Sequence, residues 1–413
     1  MGIALLSSTF IYLSHWGFSY PLLNTILGLL ALYLLLQSNT KTWFIAGAFI
    51  GLFWFWWIAL SLIHYDMVWA APIEILIIML TYGFLFWLIA AISSFPVGCC
   101  QGTTPHLISL TLKALGLLAL SYIHPFSFDW FKPELMFVES YLGIEKFQFA
   151  IILFAMVLNL WRKQILFLSL VILAYTPTPA QVSHIDKNIT LLTTHTSVED
   201  KWDNNLHEQQ FQALFNAIDE AIDKHKKLIV LPESVFPVFL NRSEALLSKL
   251  EEKAKHISIV TGGLYWDGET PRNSTYIFTN AKIQIANKVL LVPFGEANPL
   301  PDFLSDWVNE VFYDGAVDYK ASAEVTDYMI GDTTYRNAIC FEATSEKLYE
   351  KDNYGKRPQH MIALSNNGWF HPSIESGLQK LLLMYYSKKY GTTIYHSVNM
   401  SESYIIQDGK VVK

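Results

Sequence analysis

A chain of 413 residues that is 52 % hydrophobic, 16 % charged and net −7 presents no basic footprint, so no nucleic-acid partner is expected. The charge is unevenly spread, with six basic and six acidic residues in 1–179 and the other 23 basic and 30 acidic residues beyond. That split excludes a uniformly soluble chain. It points to a membrane part followed by a soluble part.

From the N-terminus, apolar runs cover residues 2–18, 21–37, 43–63, 70–95, 106–123, 147–161 and 164–176. A membrane span needs about 20 mostly apolar residues, which the third, fourth and fifth runs reach comfortably. The sixth and seventh are short and read as an interrupted pair, so about seven crossings are expected within residues 1–176. Residues 1–18 lack a basic start and a small-residue cleavage site, so they read as a retained helix and not a cleaved signal. Lys41 lies between runs two and three, and Arg162 and Lys163 lie between runs six and seven. The positive-inside rule then puts the N-terminus in the cytoplasm. The loop of residues 124–146 faces outward, and after an odd number of spans so does the C-terminal part. In a bacterium that means the inner membrane, with the soluble part in the periplasm.

Three features of the membrane part are singled out. The aromatic run 53–57 reads as lipid-facing or core. Glu74, past Pro72 at the outer end of the fourth run, would be costly inside a bilayer and is expected to snorkel to the interface. Cys99 and Cys100 fall in an inner loop. That leaves Cys340 as the one outward-facing thiol, either a candidate reactive group or a small buried apolar residue.

Residues 177–186 form a linker, entered through Thr176-Pro177-Thr178-Pro179, and 187–413 read as one α/β domain. A strand is predicted at 189–192, then a helix over 204–226 with Phe211, Leu214, Phe215, Ile218 and Ile222 on one face. A strand at 228–231 ends at Pro232; a helix at 243–256 leads into a strand at 257–260, ended by Gly262-Gly263. Residues 273–279 and 282–292 alternate as a strand pair about Asn280-Ala281. Strands at 333–340, 360–365 and 392–399, a helix at 374–390 and a hairpin turning at Asp408-Gly409 complete a mixed-sheet layered fold. Residues 298–325 carry Pro299, Leu300, Phe303, Leu304, Trp307, Val308, Phe312 and Tyr313. They read either as a membrane-touching lid hinged at Gly315 or as a packed helix over 303–311.

The ends of apolar strands carry the chemistry. Glu233 follows Leu231-Pro232, Lys288 stands ahead of Val292-Pro293-Phe294-Gly295-Glu296, and Cys340 closes a β-patterned run beginning at Tyr335. A thiol attacks as thiolate and needs a base or a positive neighbour. Glu233 supplies the base, and Lys288 the positive charge that the oxyanion of a tetrahedral intermediate needs. Taken singly, Glu233 reads as a carboxylate at a helix N-terminus and Lys288 as a solvated strand lysine. Together the three are the parts of an acyl-transfer centre.

In order, Leu-Pro-Glu, Lys and Ile-Cys-Phe-Glu resemble the pattern of the nitrilase superfamily of carbon–nitrogen hydrolases. With the 292–296 element, Cys340-Phe341-Glu342 and Ser365-Asn366-Asn367-Gly368-Trp369-Phe370, the chain is similar, over essentially its whole length, to one branch: the apolipoprotein N-acyltransferases. The resemblance implies an α-helical multi-span membrane domain plus an α/β nitrilase-like soluble domain with layered α-β-β-α architecture. It makes Glu233, Lys288 and Cys340 the base, oxyanion-stabilising lysine and nucleophile. Glu296 matches a second glutamate of the pocket, and Glu342 the acid after the nucleophile. Phe341 stands where relatives have Tyr, which removes a hydroxyl. Trp202, in Lys201-Trp202-Asp203, matches a tryptophan of the family's early Lys-Trp-Asp element, the other reading being a cap over a helix end. Two departures stand out: Thr193-Thr194-His195-Thr196 replaces Gln-x-Asn, and the chain stops at Lys413 where relatives add one more membrane helix, an anchor but no catalytic part.

The implied reaction moves an acyl chain from a membrane phospholipid, through a thioester on Cys340, to the α-amine of the diacylglyceryl-modified N-terminal cysteine of a lipoprotein. Membrane, phospholipid donor and lipoprotein acceptor are the expected partners. The sequence holds neither a nucleotide-binding glycine loop nor a metal-ligand cluster, and His184, His195 and His207 read as surface residues, so no cofactor or metal is expected. Two other readings stay open. A membrane-tethered amidase or nitrilase with water as acceptor would share every one of these residues. A transporter or lipid-binding scaffold would make the soluble domain a degenerate relic.

Overall fold

A computed structural model describes residues 1–99, 103–124, 128–177, 186–280, 282–298, 318–352 and 355–412, with the side chains of 95–99 and 103–105 left aside. These residues fall into two compact units, the first of 1–125, 129–180 and 372–385, the second of 126–128, 181–371 and 386–413. Cys100, the side chain of Cys99, the linker segment 178–185 with His184, and residues 299–317 of the arm lie outside the described residues.

In the first unit every apolar run is helical. The helices are α1 (Gly2–His15), α2 (Pro21–Gln37), α3 (Thr40–Phe55), α4 (Ala71–Cys99), α5 (Thr103–Leu120) and α6 (Lys146–Arg162). Their starts follow local chemistry. Pro21 opens α2, where its missing N–H is no loss. Asn39 accepts from the Thr42 N–H at 2.9 Å to cap α3, and Glu145 and Gln148 form a capping box on α6. Two segments, Trp56–Tyr65 and Ile165–Ala174, are 3-10 helix. At about 2.0 Å rise per residue, the second reaches roughly 20 Å, further than an α-helix of equal length. Thr40–Tyr65 and Val68–Ser94 are long and apolar enough to cross a membrane, beside shorter apolar helices at Gly2–His15, Pro21–Gln37, His106–Leu120 and Ile165–Ala174.

Helices α3 and α4 pack closely because glycine lets them. A Cβ on Gly47 would lie 2.5 Å from the Tyr82 carbonyl oxygen, and one on Gly51 2.9 Å from Tyr82 Cβ. The spacing is the small-residue pattern that brings helix backbones together in lipid. Trp43, Trp54, Phe55 and Phe86 are buried around this contact. Within residues 128–146, Asp129, Lys132 and Glu134 are buried. Glu134 accepts from Ser121 Oγ at 2.5 Å and Tyr385 OH at 3.0 Å and pairs with Lys146, while Asp129 pairs with Lys132 and His124.

The second unit is built on two six-stranded sheets. Sheet one holds β1 (Ile189–Leu191), β2 (Leu228–Val230), β3 (Phe236–Phe239), β4 (Ser258–Trp266), β5 (Pro271–Thr279) and β6 (Lys282–Asn287). Sheet two holds β7 (Asp327–Ile330), β8 (Thr333–Ile339), β9 (His360–Asn366), β10 (Thr393–Asn399), β11 (Tyr404–Gln407) and β12 (Lys410–Val412). β1, β2 and β4 run parallel, as do β8, β9 and β10. Parallel strands buried on both faces read as unbroken apolar runs, and Leu228-Ile229-Val230 shows why. Leu228 and Val230 pack toward Tyr335, Ile362 and Leu364 of the other sheet. Ile229 points the opposite way, into a core with Leu214, Phe215 and Ile218 of α8 (His207–Asp223) and Leu250 of α9 (Glu244–Lys253). On sheet two, the β11–β12 turn donates from the Gly409 N–H to Ser387 Oγ of the last helix, Glu375–Tyr390. The result is the layered α-β-β-α fold.

Two strand boundaries differ from expectation. β4 does not stop at Gly262-Gly263 but runs through them to Trp266, because the glycines serve close packing and not a turn. A Cβ on Gly262 would lie 2.4 Å from the Ser234 nitrogen and 2.7 Å from Glu233 Cα. β6 ends at Asn287, five residues before the expected 292, where the chain turns to deliver Lys288 and Glu296.

Candidate active site

Three strand ends supply the site. β2 gives way to Pro232, which has no N–H to continue the ladder, and its carbonyl accepts from the Gly262 N–H at 3.3 Å. Ser234 then adopts a left-handed φ of 47°, a conformation that is strained for a residue with a side chain and clusters at functional sites. The elbow turns Glu233 inward, 7 % exposed. β3 follows it, so Glu233 is not a helix N-terminal carboxylate.

Lys288 extends the β5–β6 ladder by one residue, its N–H donating to the Asn273 carbonyl at 2.9 Å. The side chain is 1 % exposed, which rules out the solvated reading. Residues 292–297 fold into a tight turn in which the Gly295 and Glu296 N–H groups donate to the Val292 carbonyl at 3.2 and 3.0 Å, and Phe294 takes φ 62°. This turn aims Glu296 back at Lys288 Nζ, at 2.8 Å from Oε2 and 2.9 Å from Oε1. Glu233 Oε1 is 3.9 Å from the same ammonium. Between the two carboxylates stands Asn273, 4 % exposed, whose Nδ2 donates at 2.8 Å to each. Burial pulls the lysine pKa down, but Glu296, Glu233 and Cys340 together hold it above the ordinary lysine value. The carboxylates therefore favour the charged form of Lys288.

Cys340 ends β8 with a left-handed φ of 52° and carries a thiol, not half of a disulfide. It is half-buried and lies within electrostatic reach of Lys288 and of Lys201. Two residues on, Glu342 is fully enclosed. Its Oε2 accepts from the Val289 and Leu290 N–H groups at 2.7 and 3.1 Å, and its Oε1 from the Ile339 N–H at 2.8 Å. Burial pushes its carboxyl up to about 7 against the opposing pull of Lys288 and these N–H donors. Phe341 packs face to face on Phe128, with centroids 6.0 Å apart.

Trp202 ends the short helix α7 (Val198–Trp202) and is 42 % exposed. Its neighbour Lys201 enters the site instead, 2 % exposed with Nζ donating to the Glu233 carbonyl at 3.2 Å. Sequence reasoning missed Lys201 and Asn273 as site residues. A lysine inside a Lys-Trp-Asp element and an asparagine in mid-strand carry no spacing signal; only the fold brings them to Glu233. The Thr193–Thr196 stretch that departs from Gln-x-Asn is held by Asn399, which accepts from Thr194 Oγ1 at 2.8 Å and the Thr196 N–H at 3.0 Å. Asn366 accepts in turn from Asn399 Nδ2 at 2.7 Å, which gives part of the 365–370 element a framing role.

A carboxylate and a thiol that both lie within electrostatic reach of one buried ammonium are the groups needed to deprotonate a sulfur and stabilise an oxyanion. Among the described residues, no group of three or more His, Cys, Asp and Glu side chains is placed to hold a metal ion.

Residues 1–178 match the family described as the apolipoprotein N-acyltransferase integral membrane domain. The apolipoprotein N-acyltransferase of Wolinella succinogenes is 39 % identical over 98 % of this chain and 94 % of its own length. That of Helicobacter pylori is 33 % identical over 93 % of this chain and 87 % of its own. A solved CN-hydrolase superfamily protein from Xanthomonas campestris aligns with 55 % of this chain and 84 % of its own at 14 % identity and a TM-score of 0.40.

Proposed function

The chain belongs to the apolipoprotein N-acyltransferase family, and from that premise we propose a two-step acyl transfer from a membrane phospholipid, through a thioester on Cys340, to the N-terminal amine of a diacylglyceryl-modified lipoprotein. The observation that carries the reading is the enclosed Lys288, shared between Glu296 at 2.8 Å and Glu233 at 3.9 Å, with Cys340 within its field.

In the first step Glu233 takes the thiol proton and the Cys340 sulfur attacks the ester carbonyl carbon. Lys288 stabilises the oxyanion. The C–O bond breaks, the leaving alkoxide takes the proton back from Glu233, and a lysophospholipid departs. In the second step the lipoprotein amine attacks the thioester carbonyl, Glu233 accepts the amine proton, and the C–S bond breaks as the leaving sulfur takes that proton from Glu233 to restore the thiol. Glu296 keeps Lys288 charged and aimed, and Asn273 fixes both carboxylates. Glu342 holds the backbone after Lys288 against the backbone before Cys340.

Both substrates are lipid-borne, which fits a membrane unit of about seven crossings, entered from the cytoplasm and leaving the catalytic domain in the periplasm. Lys41, Arg162 and Lys163 are the charges that support this orientation. The test is to incubate purified protein with phospholipid labelled in its acyl chains and locate the label by peptide mass spectrometry. Label on the Cys340 peptide, lost in Cys340→Ala and Cys340→Ser and discharged by a lipopeptide amine, is expected. Acyl-enzyme persisting in Cys340→Ala sinks the reading, and discharge by water alone favours a hydrolase.

A further inference from the structure

Lys201 is a buried ammonium for which no structural need is evident. It sits in α7, which Ser197 caps by accepting from the Asp200 N–H at 3.0 Å. Gln210 Nε2 donates to the Asp200 carbonyl at 2.6 Å, and His207 Nε2 lies 3.1 Å from the Lys201 carbonyl oxygen. The backbone is thus pinned without help from the lysine side chain. The ammonium has three donors, and its hydrogen bond goes to a neutral acceptor, the Glu233 carbonyl at 3.2 Å. Any neutral donor could hold that carbonyl. A buried ammonium is costly unless opposite charges stand close to it.

Those charges are Glu233 and Cys340. Burial draws the Lys201 pKa down to about 8, and both groups act to raise it. Coupling of this kind is reciprocal: what a thiolate does to keep the ammonium charged, the ammonium does to keep the sulfur ionised. Lys288 cannot supply that support alone. It already faces Glu296 and Glu233, with Glu342 also interacting with it, so a thiolate forming at Cys340 would join two or three carboxyl groups around one cation. We propose that Lys201 is a positioning residue of the acyl-transfer site, holding the Glu233 elbow through its carbonyl and balancing the negative charge that appears when Cys340 ionises. This rests on the reading of Cys340 as the nucleophile.

The test uses the full-length protein in detergent and follows iodoacetamide alkylation of the Cys340 peptide by mass spectrometry from pH 5 to 10. Lys201→Gln keeps a donor for the Glu233 carbonyl and removes the charge, Lys201→Met removes both, and Lys201→Arg retains the charge. An opposite charge nearby shifts a titration by about one to three units. The alkylation midpoint should therefore rise by about one unit or more in Lys201→Gln and Lys201→Met, and return toward the unmodified protein's value in Lys201→Arg. A folded Lys201→Gln with an unshifted midpoint overturns the inference. So does failure of both neutral variants to fold while Lys201→Arg folds, since the charge would then be structural. A midpoint in the unmodified protein at the ordinary thiol value of about 8.5 instead overturns the nucleophile reading, so the two failures are told apart.

Discussion

The buried charges around Glu134 in the first unit are closed on one another, whereas those around Cys340 in the second are left partly uncompensated. Glu134 is wholly enclosed, yet Lys146 neutralises it and Ser121 and Tyr385 occupy its remaining lone pairs. Asp129 has Lys132 and His124 beside it. That network fixes the path of residues 128–146. Around Cys340 the arrangement differs. Two carboxylates share Lys288 and one amide of Asn273, and Lys201 donates to a neutral carbonyl. Charge that is buried and incompletely matched is charge still available to a substrate.

The contrast can be broken from either side. The largest effect is expected in the first unit, where Glu134→Ala removes the enclosed carboxylate from Lys146, Ser121 and Tyr385 and lowers stability by up to about 3–5 kcal/mol, read by denaturant unfolding in detergent. The Cys340 alkylation profile of the fraction that stays folded should be unchanged; a changed profile would mean the network reaches the chemistry. Next, Gly262→Ala puts a methyl group within 2.4 Å of the Ser234 nitrogen and displaces the Glu233 elbow. A displacement of about 1 Å can cost a hundredfold in rate, so single-turnover acylation should fall about that much; a loss under threefold would show the elbow has room to spare.

The smallest effect is a change of slope with pH. The folded Glu342 carboxyl, at about 7, lies above its ordinary value of 4.5. The native state therefore holds the proton more tightly, and between those values unfolding releases it. This contribution is full below about pH 4.5 and is lost as pH rises toward 7, at no more than about 1.4 kcal/mol per unit. Glu342→Gln should flatten that part of the stability–pH curve, and an unaltered slope would assign the dependence to other groups.

Much of this was legible in the residues, for reasons that differ by element. Leu228-Ile229-Val230 is apolar on both faces because both faces are covered, and the Asp408-Gly409 hairpin follows from two residues that accept left-handed backbone, with φ of 51° and 72°. Glu233, Lys288 and Cys340 stand at strand ends, where periodicity stops and chemistry begins. Gly262-Gly263 misled because a glycine pair reads as a turn, and only the Glu233 elbow explains why β4 needs bare backbone there. β3, with Pro237 inside it, and the four-residue β7 are too short to show a period. Lys201 and Asn273 gain their meaning from neighbours 32 and 40 positions away, a separation that no local pattern encodes.

The Glu342 carboxyl has a consequence for how this enzyme family can vary. One oxygen grips the strand terminus that bears the amine in sheet one, and the other grips the strand that bears the sulfur in sheet two. A single side chain thus acts as a rivet across the sandwich. Sliding one sheet over the other would have to break these bonds, so core substitutions that keep them leave the spacing of amine and sulfur intact.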